Sequence, residues 1–343
     1  MDDHTLAMLS RLAPDLMHQL GERAAVLERI SALQPVGRRA LAQRLQIPER
    51  EVRAISESLR RDGFIEVGAA GMMLTGSASE VLSGAKEMVR SLMGLNALEL
   101  QLARLLNADR VVVVAGNADE DEHVLDEVGR SAASRLRHYL SDGSILAVTG
   151  GGTIAKVARY LPQGSPMDVT VLPARGGVGR KVETQANTLA AELAHKLGGT
   201  HRLLHLPDSI GSEALRELCK LPEIREPMDM LKKANVLLSG IGRSDDMAVH
   251  RRMSEGELEL LRQRGAVAEA LGVYFDAQGH PLVQASSLGL DITHIGSITS
   301  VIAVAAGRRK AEAILAVARH HHHALLVMDE GAARAILALL RHG

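Results

Sequence analysis

The most explicit chemistry in this chain sits in five consecutive residues, Thr149-Gly150-Gly151-Gly152-Thr153. The apolar run Ser144–Val148 leads directly into them and a helical pattern through Ala158 follows. Strand, tight turn and helix are therefore expected. Glycines let a backbone come close to a ligand, and a helix start presents unpaired N–H groups and the positive end of its dipole. Such a spot holds an anion, most simply a phosphate, and the hydroxyls of Thr149 and Thr153 add donors. A plain strand-to-helix turn would show the same glycines. The stretch is not a P-loop, because no Lys-Ser or Lys-Thr follows the last glycine, and it lacks the spacing of a GxGxxG dinucleotide site.

Other charged residues fall at comparable places. Arg175 follows the apolar strand Asp168–Leu172 at once, where its fork of donors suits a second phosphate. Lys310 opens a helix beside Arg308 and Arg309, an unfavourable place for a cation unless an anion is near. Glu269 lies between small apolar residues in Val267–Leu271 and can accept bonds from sugar hydroxyls. Four glycine-bearing turns end strands here: 149–153, 174–179, 239–242 and 305–310. Each charge alone reads as a solvated surface group, and their shared location at strand ends is what points to a ligand. No HExxH, GxSxG or CxxC is present, so no catalytic residue, metal or cofactor is expected. His320–His323 reads as a loop between a helix and a strand rather than a metal tract, and Asp245-Asp246 as a hydrogen-bonded loop.

The elements that must position these residues begin at Arg110. Apolar strands alternate with amphipathic helices to the end of the chain, which predicts an α/β domain with a mostly parallel, Rossmann-like sheet. Strands are expected at 111–115, 144–148, 168–172, 201–205, 235–239, 300–305 and 324–328, and a hairpin at 272–276 and 281–286. Residues 85–107 are expected to form one linking helix, after a linker at 76–84.

The first 75 residues read differently. Helical spacing at 5–20 and 22–33 is followed by a loop at 34–37, a short helix at 38–47, a helix from Glu49 to Asp62 that Gly63 ends, and two short strands within 64–75. This is the order of a winged helix-turn-helix. Val52, Ile55 and Leu59 mark the apolar face of the third helix, and Arg50, Arg53, Ser56 and Arg60 are placed off it. Seven arginines face three glutamates between Val36 and Arg61, so Arg38 and its neighbours can serve phosphates while the helix enters a major groove. A small helical bundle with a charged solvated face is the bland alternative.

Composition sets the bounds. The 343 residues suffice for two domains, divided as 1–84 and 85–343. Net charge is −1, 46% of residues are hydrophobic and 32 are glycine. A single cysteine, Cys219, excludes an internal disulfide and suits a reducing cytoplasm. There is no tryptophan, and two phenylalanines and three tyrosines speak against stacking on single strands. No apolar run reaches the roughly 18 residues of a membrane span.

The combination resembles a known family. A winged helix precedes a sugar-isomerase-like domain carrying Thr149–Thr153, Leu172-Pro-Ala-Arg-Gly-Gly177, Gln185-Ala-Asn187, Ser239-Gly-Ile-Gly242, Ala303–Gly307 with Lys310, and Asp329-Glu-Gly-Ala-Ala333. The chain is similar over nearly its full length to the SorC-type sugar-responsive transcription regulators. That resemblance implies a cytoplasmic, dimeric or tetrameric repressor of double-stranded operator DNA, with a phosphorylated sugar, chiefly fructose 1,6-bisphosphate, as effector. It implies an effector site of Gly151, Gly152 and Thr153 in the turn, with Arg175, Gln185, Glu269, Lys310 and one arginine of the Arg251-Arg252 pair. Thr149 and Gly150 complete the turn. The sequence departs from the family in placing Gly152 before Thr153, where the family carries two adjacent threonines. A phosphosugar isomerase or deaminase with an accessory helical domain is the competing reading, since such folds also host enzymes.

Overall fold

A computed structural model describes all residues except 1–11, 46, 79–80, 83, 85–89, 91–93, 177–180, 205–211, 252, 285–288 and 343. Residues 5–11 of the first expected helix lie outside the described residues, as does Arg252. The chain forms two compact units, residues 1–97 and 98–343.

In the first unit, α1 (Pro14–Leu33), α2 (Arg38–Leu45) and α3 (Glu49–Arg61) precede the antiparallel strands β1 (Ile65–Gly68) and β2 (Gly71–Leu74). The described part of the expected first two helices is one helix from Pro14 onward, with Gly21 in its interior. The apolar stripes of α1, α2 and α3 meet in one core with Val26, Ile30, Leu41, Val52 and Leu59, closed by Ile65 and Met72. Met72 also exchanges two backbone hydrogen bonds with Val36, which ties the hairpin to the turn before α2. Gly71 makes that approach possible: its φ is +133° and a Cβ there would lie 2.8 Å from the Val36 backbone. Arg23 of α1 is ion-paired with Asp62 at the end of α3.

Two expectations fail beyond the hairpin. Residues 76–78, 81–82 and 84 are helical rather than linker, because Ala78 and Leu82 are apolar enough to be buried. A continuous helix over 85–107 is also ruled out. Gly94 takes φ +68° and α4 begins only at Leu95, ending at Leu105.

The second unit is built on a parallel sheet whose described order is β3-β13-β12-β7-β4-β5-β6. The strands are β3 (Val111–Val114), β4 (Ser144–Val148), β5 (Val169–Pro173), β6 (Thr200–His201), β7 (Val236–Gly240), β12 (Ser300–Val304) and β13 (Leu325–Asp329). Residues alternate between faces with period two. Leu146, Val148, Val169, Val171 and Leu238 meet α5 (Glu122–Leu136), α6 (Gly152–Tyr160) and α7 (Ala186–Leu197) on one face. Ala147, Leu172 and Leu237 meet the opposite layer, which includes Leu231, Leu290 and Ile295. Burial on both faces is why these strands read as unbroken apolar runs.

The chain order changes direction between β4 and β7. From β4 it proceeds outward through β5 and β6; from β7 it proceeds the other way through β12 and β13. A ligand crevice is expected at the carboxyl ends on this seam.

A second sheet, antiparallel and in the order β11-β10-β9-β8, stands beside it. Its strands are β8 (Gly242–Arg243), β9 (Ala266–Ala270), β10 (Val273–Asp276) and β11 (Pro281–Gln284). The hairpin β10–β11 is the expected one. β8 and β9 carry too little β-branched or aromatic character to be read from sequence. Of the remaining helices, α8 (Ser212–Leu218) and α9 (Pro222–Leu231) precede β7, while α10 (Ser244–His250) and α11 (Glu255–Gln263) join β8 to β9. α12 (Ala311–His320) and α13 (Glu330–His342) flank β13.

Candidate effector cavity and nucleic-acid interface

At the carboxyl ends of the central strands lies a cavity of about 450 Å³. Thr149–Thr153, Arg175, Arg251, Glu269 and Lys310 line it, joined by Lys181, Thr184, Asp246 and His250. Four basic side chains thus face two acidic ones. Nine of the ten residues proposed from sequence converge here. Gln185 is the exception: it precedes α7 as its N-cap, and its neighbours Thr184 and Ala186 line the wall instead.

The three glycines have three different reasons. A Cβ on Gly150 would lie 2.7 Å from the Thr184 carbonyl oxygen, so this glycine serves packing of the turn. Gly151 has φ +115°, a conformation that side chains disfavour, and its N–H donates to Thr184 O at 2.9 Å. Gly152 begins α6, and a Cβ there would meet nothing within 4 Å. The first intrahelical bond runs from Ala155 N to Gly151 O. The N–H groups of Gly152, Thr153 and Ile154 therefore have no acceptor within the helix. Thr149 Oγ1 accepts from Gly240 N at 3.0 Å, which locks β4 to β7 and leaves its proton to donate.

The opposite wall is a two-residue turn joining β9 to β10. Leu271 and Gly272 have φ +53° and +78°, the type I′ pattern of tight hairpins. A leucine in that conformation is strained. Two cavity residues hold it. Arg175, which is 5% exposed, donates to Leu271 O, and Glu269 accepts from Gly272 N at 2.6 Å. Glu269 is also ion-paired with Arg251 at 3.0 Å. Sequence reasoning placed both residues at the cavity but missed that each is bonded to this turn or to the other wall.

Lys310 enters from the turn after β12, and its Nζ donates to Ile241 O at 3.1 Å. Burial pushes its ammonium below the usual lysine range, opposed by the charges of Asp246, Asp119 and Asp329. Asp329 is fully buried and orders three turns at once. Its carboxylate accepts from Gly307 N at 2.9 Å, Ala118 N at 2.6 Å and Ala332 N at 3.0 Å. Among the described residues no group of three or more His, Cys, Asp or Glu gathers as a metal site. His320 ends α12 and His321–His323 form the connection to β13. Asp245 and Asp246 open α10 instead of forming a loop, and Arg243 pairs with Asp245.

On α3 Arg50, Arg53, Glu57 and Arg60 are exposed, as are Glu49, Glu51, Ala54 and Arg61, and Arg38 is exposed on α2. Ser56 is corrected: it is 3% exposed, on the core side with Val52 and Leu59, because its position four residues after Val52 falls on the same stripe. Arg53 Nε donates to Glu57 at 2.9 Å. The three residues between α2 and α3 match the length of a helix-turn-helix turn.

Comparison with known proteins bears on both parts of the chain. Residues 90–338 match the sugar-binding domain family and residues 20–89 match the CggR N-terminal DNA-binding domain. The chain is 36% identical to the Central glycolytic genes regulator of Bacillus subtilis (strain 168), over 95% of this chain and 96% of that protein. The regulator of the same name from Priestia megaterium is also 36% identical, over 95% and 96%. A SorC family transcriptional regulator from Enterococcus faecalis superposes with TM-score 0.66 at 34% identity, covering 70% of this chain and 99% of that one. The full-length sorbitol operon regulator SorC of Klebsiella pneumoniae shares the fold, with TM-score 0.66 at 20% identity over 89% and 94%. These relatives are named as regulators and this chain itself matches a DNA-binding domain, so the competing enzyme reading falls. The chain belongs to the SorC-type family of sugar-binding transcription regulators.

Proposed function

We propose that this regulator represses glycolytic genes and that a phosphorylated sugar, fructose 1,6-bisphosphate, modulates its binding to operator DNA. One observation carries the reading: the open N–H groups at the start of α6 share a single cavity with Arg175, Arg251 and Lys310. A sugar carrying phosphates at both ends offers one to the helix start and the other to the guanidinium groups. Glu269 takes sugar hydroxyls. The names of the two regulators from Bacillus subtilis and Priestia megaterium support glycolytic genes as the target.

The exposed arginines of α2 and α3 then serve DNA, with Arg53 reading a base edge and Arg38, Arg50 and Arg60 holding phosphates. The protein works in the cytoplasm as a homodimer or homotetramer, so that paired DNA-binding domains match a two-fold operator. A DNA-binding domain of residues 1–84 and an effector and assembly domain of residues 85–343 divide the work.

Thermal unfolding with added sugars tests the effector. At a hundredfold excess over Kd a ligand that binds only the folded state adds about 2.7 kcal/mol, roughly 5–10 °C for a unit of this size. Fructose 1,6-bisphosphate should raise Tm by that order and unphosphorylated fructose should not. Equal shifts for both sugars, or none for either, would refute a phosphate site.

A further inference from the structure

The exposed face of α3 carries a carboxylate among cations, which a surface made only to attract DNA would not need. Glu57 lies one turn after Arg53 and accepts from its Nε. The same carboxyl is held below the usual glutamate range by its bond to Arg53, with smaller contributions from Arg38 and Arg60. Arg53, Glu57 and Arg60 stand four and three residues apart and so share one face of α3. The bond uses Nε, so the terminal nitrogens of Arg53 can still form the bidentate pair with guanine. A flexible arginine loses side-chain freedom when it docks, and a partner that already fixes it lowers that cost.

We infer that Glu57 is a specificity residue of the DNA interface: it positions Arg53 for a base edge and disfavours sequences that Arg53 cannot read. This rests on α3 being the recognition helix. At a matching site Arg53 stays between the carboxylate and the base, and the negative charge remains compensated. At a mismatched site Arg53 turns to phosphate, and Glu57 is left facing the backbone with its own charge unpaired. Like charges there weaken binding. Glu57 therefore trades affinity for discrimination.

The test uses the full chain, a duplex that the wild-type protein selects from a random 30-base-pair pool, and poly(dI-dC) as non-specific DNA. Glu57→Gln keeps the length and an acceptor oxygen but removes the charge; Glu57→Ala removes both on an exposed helical position that tolerates alanine. Both should bind poly(dI-dC) about threefold or more tighter. Their preference for the selected duplex over poly(dI-dC) should fall by about tenfold. The salt dependence of non-specific binding should steepen, since one repulsive charge is gone. A preference within twofold of wild type in both variants overturns the proposal. Arg50→Ala/Arg60→Ala separates the two ideas. If that variant binds both duplexes as wild type does, α3 is not the recognition helix and both fail. If it binds weakly while Glu57 variants keep full preference, only the role of Glu57 fails.

Discussion

Two regions of this chain hold clustered cations by opposite means. On α2 and α3 the arginines are exposed, and the one described acidic partner of Arg53 is also at the surface. In the cavity at the strand ends three of the four cationic side chains are bonded to the protein: Lys310 to Ile241 O, Arg175 to Leu271 O, and Arg251 to Glu269. Exposed cations act through release of counterions and follow salt closely. Buried cations have already lost their water, and their attraction is screened far less. Under the proposed function, a surface that slides along a polymer and a cavity that selects one small anion call for those two designs.

The sharpest contrast is between the two glutamates. Glu269→Ala leaves the Arg251 guanidinium beside an empty space and frees Gly272 N, so the effector unit should lose about 3–5 kcal/mol. Glu57→Ala breaks an exposed pair and should cost less than about 1 kcal/mol. Urea unfolding of both variants measures the difference, and equal losses would break the comparison.

Acid should strike the effector unit next. His321 and His323 stack at 4.4 Å between ring centroids, and both rings carry nitrogens without a hydrogen-bond partner. Burial lowers His321 to about 4 and His323 well below the ordinary value, with neighbouring histidines adding to the shift. The unfolded chain then binds more protons, so stability is complete above pH 6.5 and falls as pH drops toward 4. His321 alone accounts for about 3 kcal/mol over that window and about 2 kcal/mol by pH 5. Urea midpoints that stay level between pH 7 and pH 5 would contradict the buried neutral pair.

The smallest effect belongs to Ser56. Its hydroxyl is buried without a partner, so Ser56→Ala should leave operator affinity unchanged and stabilise the first unit by up to about 1 kcal/mol. A loss of DNA binding on this change would return Ser56 to the interface.

Local pattern carried most of this architecture. Strand, glycine turn and helix at 144–160, and the helix-helix-hairpin order at 38–74, are each written in neighbouring residues. What escaped notice depends on distant partners. Asp329 orders turns at Ala118 and Gly307 through its carboxylate, and nothing beside it in sequence signals that reach. β9 reads Ala-Val-Ala-Glu-Ala, whose small residues lack a strand's usual signature, so Glu269 could be picked out by its charge but not placed against the β9–β10 turn. Ser56 is polar and reads with the arginines, although its spacing from Val52 sets it on the buried stripe. A single helix over 85–107 is incompatible with Gly94, whose φ is positive.

The central claim is that phosphate at the start of α6 controls DNA binding elsewhere in the chain, and Gly152→Asp tests it most directly. A side chain fits there without a clash, and an acidic residue in the first turn favours the helix. The new carboxylate occupies the phosphate's place and repels it. Operator affinity is measured with and without fructose 1,6-bisphosphate, at a concentration that saturates the wild-type response. The account predicts that the sugar shifts operator affinity in the wild type and has no effect on a folded Gly152→Asp protein. A full sugar response in that variant would contradict it.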